Sequence, residues 1–325
     1  MKFVIAYIKS MRLYYAFITG IAGWIGVSYY EFLESSIYKT IEESPSIMKK
    51  VVILILLFLS WGINQIVNDY MGLKEDRINA PNRPMVTGEL NSKKAILISF
   101  ILICITSTIT IFYLEPLALI PLILGICLNI LYEYAKGYGV YGNIVFGLMI
   151  SMCTVFGFLA TGPMESPYFT CSRLSVLSLV IVLNAIMTFY TYFKDYKGDK
   201  KTNKNTLVVQ MGIKNAKILA ITFAIVPFSL FIVLYSLKMI NTTLHYEFII
   251  LGIITLFLQL WTGTLFFRNP VGKKTYYSLS VNFRACTCGQ AALIALFNVN
   301  LSIMLFLISY IFIEFLFSLY SNPKS

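Results

Sequence analysis

Read for its apolar and polar positions, the chain alternates between long hydrophobic runs and short polar breaks along most of its length. The runs fall near residues 11–30, 50–67, 94–114, 116–135, 143–162, 174–193, 215–237, 246–266 and 290–320. Most match the roughly 20 helical residues that cross a hydrocarbon core of about 30 Å. The pattern predicts an all-α, polytopic membrane protein with about nine transmembrane helices. The first run is read as a retained span rather than a cleaved signal segment, because it is long and eight similar runs follow it. No linker rich in Pro, Gly or Ser interrupts the series, so the expected organisation is one domain over residues 1–325.

Composition agrees: 58% of residues are hydrophobic and only 13% charged, more apolar than a soluble core usually hides. The net charge of +11 raises nucleic acid as a partner, but the basic residues sit between apolar runs and no soluble basic domain carries them. A lipid bilayer is the expected partner, and no nucleic acid. With nine spans, one side receives Lys2, Lys9, Arg12, Lys74, Arg77, Arg83, Lys93, Lys94, Lys136, the basic cluster 194–217, Arg268, Lys273, Lys274 and Arg284. The other side receives Lys39, Lys49, Lys50, Arg173, Lys238 and Lys324. That asymmetry places the N-terminus and the long polar loops in the cytoplasm. The six cysteines lie mostly inside apolar runs, where free Cys acts as a small hydrophobe, and imply neither disulfides nor a zinc site.

Two polar stretches on the cytoplasmic side carry the candidate chemistry. The first reads NDYMGLKEDRINAPNRP from Asn68 to Pro84. On a helix extending the second span, Asn64, Asn68, Gly72 and Asp76 recur every four residues, and Asp69 lies two turns before Asp76. The second, FKDYKGDKKTNKNTL, puts Asp195 and Asp199 one turn apart, with Lys194, Lys197, Lys200 and Lys201 around them. Magnesium takes one or two hard carboxylates from a protein and completes its shell with water and phosphate, and surrounding cations suit a polyanion that the metal does not fully neutralise.

These two strings resemble the paired aspartate-rich motifs of the UbiA superfamily of intramembrane prenyltransferases, which includes membrane terpene cyclases. The resemblance extends through span count and charge topology over nearly the whole chain. It implies nine helices around a lipid-open cavity, with Asp69, Asp76, Asp195 and Asp199 as catalytic groups and, together with Asn68, as metal ligands, and Mg2+ as cofactor. It also implies prenyl-diphosphate contacts from Asn64, Asn68, Lys136, Arg77, Arg83, Lys194 and Arg12. Gly72 and Tyr192 stand where the family usually has further aspartates. The expected activity is Mg2+-dependent ionisation of a prenyl diphosphate and transfer to an aromatic or lipid acceptor. Intramolecular cyclisation is the alternative within the fold, and a transporter the alternative outside it. His245, the only histidine, is expected on the opposite side and out of the chemistry.

Overall fold

The computed structural model describes residues 2–37, 45–164 and 167–321. Its elements are helices α1 (Lys2–Met11), α2 (Ala16–Ile37), α3 (Ile47–Met71), α4 (Leu73–Asn79), α5 (Pro84–Thr87), α6 (Ser92–Phe112), α7 (Leu119–Ala135), α8 (Val140–Thr161), α9 (Cys171–Lys201), α10 (Leu207–Phe223), α11 (Val226–Ser236), α12 (Tyr246–Arg268), α13 (Thr275–Ile294) and α14 (Val299–Ser321). Two short strands, β1 (Tyr138–Gly139) and β2 (Asn205–Thr206), pair in parallel.

Among the described residues, eight helical segments are long and apolar enough to cross a membrane, with α10 and α11 counted as one. They carry large apolar side chains outward: Phe100, Ile101 and Ile105 on α6, Ile253 and Phe257 on α12, and Leu307, Ile311 and Phe312 on α14 are all exposed. A soluble protein does not tolerate that much greasy surface, whereas a bilayer requires it. The all-α, multi-pass expectation therefore holds.

Helix α2 runs against α8 at backbone contact. A Cβ added at Gly26 would meet the Thr154 carbonyl at 2.0 Å, and one at Gly157 the Gly23 carbonyl at 2.0 Å. Small residues are what allow such an approach between membrane helices.

The expected last span differs from what is seen. The run near 290–320 is divided between the end of α13 and the whole of α14, which form an antiparallel hairpin. The Tyr276 hydroxyl donates to the Phe317 carbonyl at one end (3.2 Å), and Ser302 to the Ala291 carbonyl at the other (2.7 Å). Helix α14 thus returns the chain to the side where α13 begins, which a single ninth span does not do. Arg284, expected in a loop, lies inside α13, 2% exposed, and donates to Glu314 on α14 at 2.8 Å. The cause is compositional. Buried Ser278, Ser280, Asn282, Arg284, Thr287 and Gln290 make α13 too polar for a hydropathy window, yet its neighbours bury it so completely that lipid never meets those groups. Lys39 and Lys324, counted in the charge pattern, lie outside the described residues.

Candidate active site

The two acidic stretches ride on helix ends. Helix α3 continues past its apolar part to Met71, and Gly72 passes the chain into α4, so Asp69 and Asp76 sit on consecutive helices. Helix α9 runs unbroken to Lys201 and carries Asp195 and Asp199 on its last turns. These ends surround one pocket of about 880 Å³, partly open to the surroundings, lined by Asn68, Asp69, Asp76, Asp195 and Asp199 together with Arg12, Arg83, Lys136 and Lys194.

What joins the two halves is a contact that the motifs did not announce. Asn79, at the end of α4, accepts a hydrogen bond from the backbone N–H of Gly198 at 2.8 Å. A Cβ at Gly198 would stand 2.4 Å from the Asn79 amide, so only glycine allows α9 this close to α4. A second fastening is the β1–β2 pair, Tyr138 with Asn205 and Gly139 with Thr206, which clips the end of α7 to the segment after α9.

The acidic groups are deeply placed: Asp69 is 1%, Asp199 5% and Asp76 8% exposed. Arg12 pairs with Asp69, and Arg83 pairs with Asp76 while lying 3.4 Å from Asp69. Gln65, one turn before Asp69, donates to the same carboxylate at 2.9 Å. Arg12 occupies left-handed backbone space at φ 49°, uncommon for a residue with a side chain, where α1 ends and the chain turns toward α2. That turn drops its guanidinium onto Asp69; burial opposes the charge, but Asp69 outweighs it and holds Arg12 above its usual range. Burial pushes the Asp76 carboxyl up, Arg83 pulls it back, and repulsion from Asp69 and Asp195 adds to the rise. Carboxylates of both motifs thus feel one another across the pocket.

Beside the acids lies a second charged group of residues. Glu133 on α7 takes Lys136 at i+3 and also reaches Lys204, at 3.5 Å, which in turn lies 3.4 Å from Glu75 on α4. Burial works against the Lys136 charge, but Glu133 prevails and keeps it above the ordinary lysine range. Burial and the neighbouring Lys136 push Lys204 below that range.

Nine of the eleven sequence-predicted site residues therefore converge, and two do not. Asn64 lies one turn deeper on α3 than Asn68 and lines a separate apolar cavity. Each four-residue step turns a helix by about 400°, so the expected wall drifts by about 40° per step. Arg77 is exposed on the outer face of α4, away from Asp76. Lys197, Lys200 and Lys201 also stay on the surface, and Lys204 goes inward instead. Of the two departures from the family pattern, Gly72 lines the pocket, whereas Tyr192 is buried off its wall. Gln65, Asn79, Glu133 and Lys204 were not anticipated. The spacing of Gln65 to Asp69 (i+4) and of Glu133 to Lys136 (i+3) was the available signal for two of them.

The donor set fits a hard divalent cation. Asp69 Oδ2 and Asn68 Oδ1 are buried without hydrogen-bond partners at the pocket wall, two oxygens that a cation would satisfy. Among the described residues, no three Asp, Glu, His or Cys side chains close a cage by themselves. That suits magnesium, which shares its shell with water and substrate phosphate.

The model of the UbiA prenyltransferase family matches residues 41–274, most of the chain. The chain belongs to the UbiA prenyltransferase family. Among UbiA relatives, the digeranylgeranylglyceryl phosphate synthase of Methanosphaera stadtmanae is 32% identical over 182 residues, 55% of this chain and 64% of that protein. The chain thus spans just under two thirds of that relative's length. The synthase of the same name from Methanosarcina mazei is 22% identical over 287 residues, 85% of this chain and 94% of that one. A solved UbiA homologue from Archaeoglobus fulgidus, bound to DMAPP and Mg2+, shares the fold at TM-score 0.60 and 14% identity, covering 93% of this chain and 99% of its own.

Proposed function

We propose that this UbiA-family chain is a magnesium-dependent prenyltransferase that ionises a prenyl diphosphate and passes the allylic group to a lipid acceptor of the glyceryl-phosphate kind. The observation that carries the proposal is the meeting of two acidic helix ends around one pocket, with basic groups interleaved and oxygens of Asp69 and Asn68 left unpartnered. The relatives' name and the DMAPP and Mg2+ in the Archaeoglobus protein support the choice of donor, metal and acceptor.

In this reading Asp69, Asn68, Asp76, Asp195 and Asp199 hold the metal, which when bound supplies Lewis-acid stabilisation to the departing diphosphate. Arg12 and Arg83 lie within reach of both the carboxylates and the pocket, and exchange a carboxylate partner for a phosphate oxygen. Lys136 and Lys194 add charge on the other side. Such fixed cations are worth most where charge grows as the carbon–oxygen bond breaks. Below them, Tyr15, Trp61, Tyr132, Phe146, Phe283 and Phe317 line the pocket, keep water from the allylic cation and offer it their ring faces. The same aromatic lining favours a second reading, cyclisation of the cation on its own chain. By the distribution of basic residues, the pocket opens to the cytoplasm.

The deciding experiment incubates purified protein with prenyl diphosphates and Mg2+, with and without glyceryl-phosphate lipid, and identifies products by mass spectrometry. An acceptor-dependent ether is the expected product. A cyclic hydrocarbon or alcohol formed without acceptor would replace transfer by cyclisation, and no diphosphate release from any donor would defeat both.

A further inference from the structure

On its membrane side the pocket ends in an aromatic floor. Tyr15 stacks on Trp61 with ring centres 4.4 Å apart and planes within 7°. Phe146 meets Trp61 edge-on at 5.8 Å, and Tyr132 meets Phe146 at 5.2 Å. Behind this floor lies a second cavity, partly open to the surroundings and of about 680 Å³ with that open space included, between α2, α3, α6, α7 and α8. Among the described residues Trp61 alone lines both spaces.

The second cavity is greasy. Its walls include Leu56, Leu122, Ile150 and Phe156. Thr19 and Ser60 also line it, but both hydroxyls already donate to the Leu57 carbonyl, at 2.8 and 2.7 Å. A space of this kind takes a hydrocarbon chain rather than water. The indole N–H of Trp61, by contrast, is buried with no partner, so no hydrogen bond fixes the ring as a partition.

We infer that Trp61 is a chain-length gate, and that the cavity behind it receives the far end of prenyl donors too long for the first pocket. The inference rests on the prenyl-diphosphate reading above and adds which donors the site accepts. Trp61 precedes Asp69 by eight residues on α3, about 12 Å along the axis. With carbon–carbon bonds near 1.5 Å at open angles, an isoprene unit advances about 5 Å. A diphosphate held at Asp69 therefore leaves room for about two units above the floor. A ten-carbon chain stops short of Trp61, whereas the third and fourth units of a twenty-carbon chain pass it.

Gly125 on α7 offers a way to test this from the far side. It lines the second cavity, and a Cβ there meets only the Met152 Cβ, at an ordinary 3.7 Å, so a larger side chain grows into the space without moving the backbone. The measurement is kcat/KM for geranyl and geranylgeranyl diphosphate, with Mg2+ and acceptor, in the wild type, Gly125→Leu and Trp61→Ala. Gly125→Leu is expected to lower the twenty-carbon value about tenfold or more and leave the ten-carbon value within about twofold. Trp61→Ala is expected to raise the ratio of twenty-carbon to ten-carbon use. If Gly125→Leu leaves both donors unchanged, or Trp61→Ala leaves the ratio unchanged, the gate is wrong while the prenyltransferase reading stands. If the wild type releases diphosphate from no donor, that reading fails and the gate falls with it. Should Gly125→Leu not fold, the Trp61→Ala ratio alone decides.

Discussion

Replacing Gly198 by alanine tests whether the two acidic helix ends work as one unit. The new methyl would stand 2.4 Å from the Asn79 amide, which must swing away and give up its 2.8 Å hydrogen bond from the Gly198 N–H. Losing that bond costs about 0.5–1.5 kcal/mol, and forcing the amide off its rotamer adds a similar amount, so about 1–3 kcal/mol is at stake. The consequence for chemistry is larger than for folding, because α4 carries Asp76 and α9 carries Asp195 and Asp199. A displacement of about 1 Å between catalytic groups can cost about a hundredfold in rate. Magnesium-dependent diphosphate release from a short donor should therefore fall about ten- to hundredfold in Gly198→Ala, with a melting temperature only a few degrees lower. Asn79→Ala removes the bond without the clash and should cost less. The double variant regains the space and should be no worse than Asn79→Ala alone, which is the signature of a shared contact. Full activity in Gly198→Ala, or losses that simply add in the double variant, would refute the strap between the motifs.

Three further outcomes follow from the charged groups. Asp69→Asn or Asp199→Asn should lower diphosphate release by about a hundredfold or more, and excess chelator should abolish it in the wild type until Mg2+ is restored, both read by a phosphate-release assay. Glu133→Gln takes away the carboxylate paired with Lys136 and leaves Lys204 with Glu75 alone, and should destabilise the protein by about 3 kcal/mol, seen as a lower melting temperature in detergent; an unchanged value would show that Glu133 does not neutralise Lys136. Arg284→Met should destabilise by stranding Glu314, and Arg284→Met with Glu314→Leu should recover most of the loss, because an apolar pair suits the membrane face better than half an ion pair.

The fold class and most of the lining of the candidate pocket were legible because the membrane simplifies the code. Only helices satisfy their own backbone in lipid, so long apolar runs could be read directly as elements. Asp69, Asp76, Asp195 and Asp199 stood out for the same reason, since carboxylates at the ends of such runs need a purpose. Asn64 misled because a four-residue interval looks like a face but drifts around the helix, and one turn was enough to carry it from the polar pocket to the cavity behind Trp61. Arg77 misled because a single residue step, about 100° around α4, separates the side chain that enters the pocket, Asp76, from the one that leaves it.

What stayed hidden depends on contacts between elements remote in sequence. Nothing local marks Asn79 as a partner of Gly198, 119 residues away, or Lys204 as the side chain that joins Glu75 to Glu133. Helix α13 was obscured by its own polarity, which is tolerable only because the helices around it supply hydrogen-bond partners that lipid cannot. Its Asn282 donates to the Met187 carbonyl of α9 at 3.0 Å, a bond available only inside the bundle. That burial has a consequence for the pocket. Leu279 and Phe283 of the same helix line it beside Phe317 of α14, so the polar groups that hid α13 from a hydropathy reading also anchor one aromatic wall of the site.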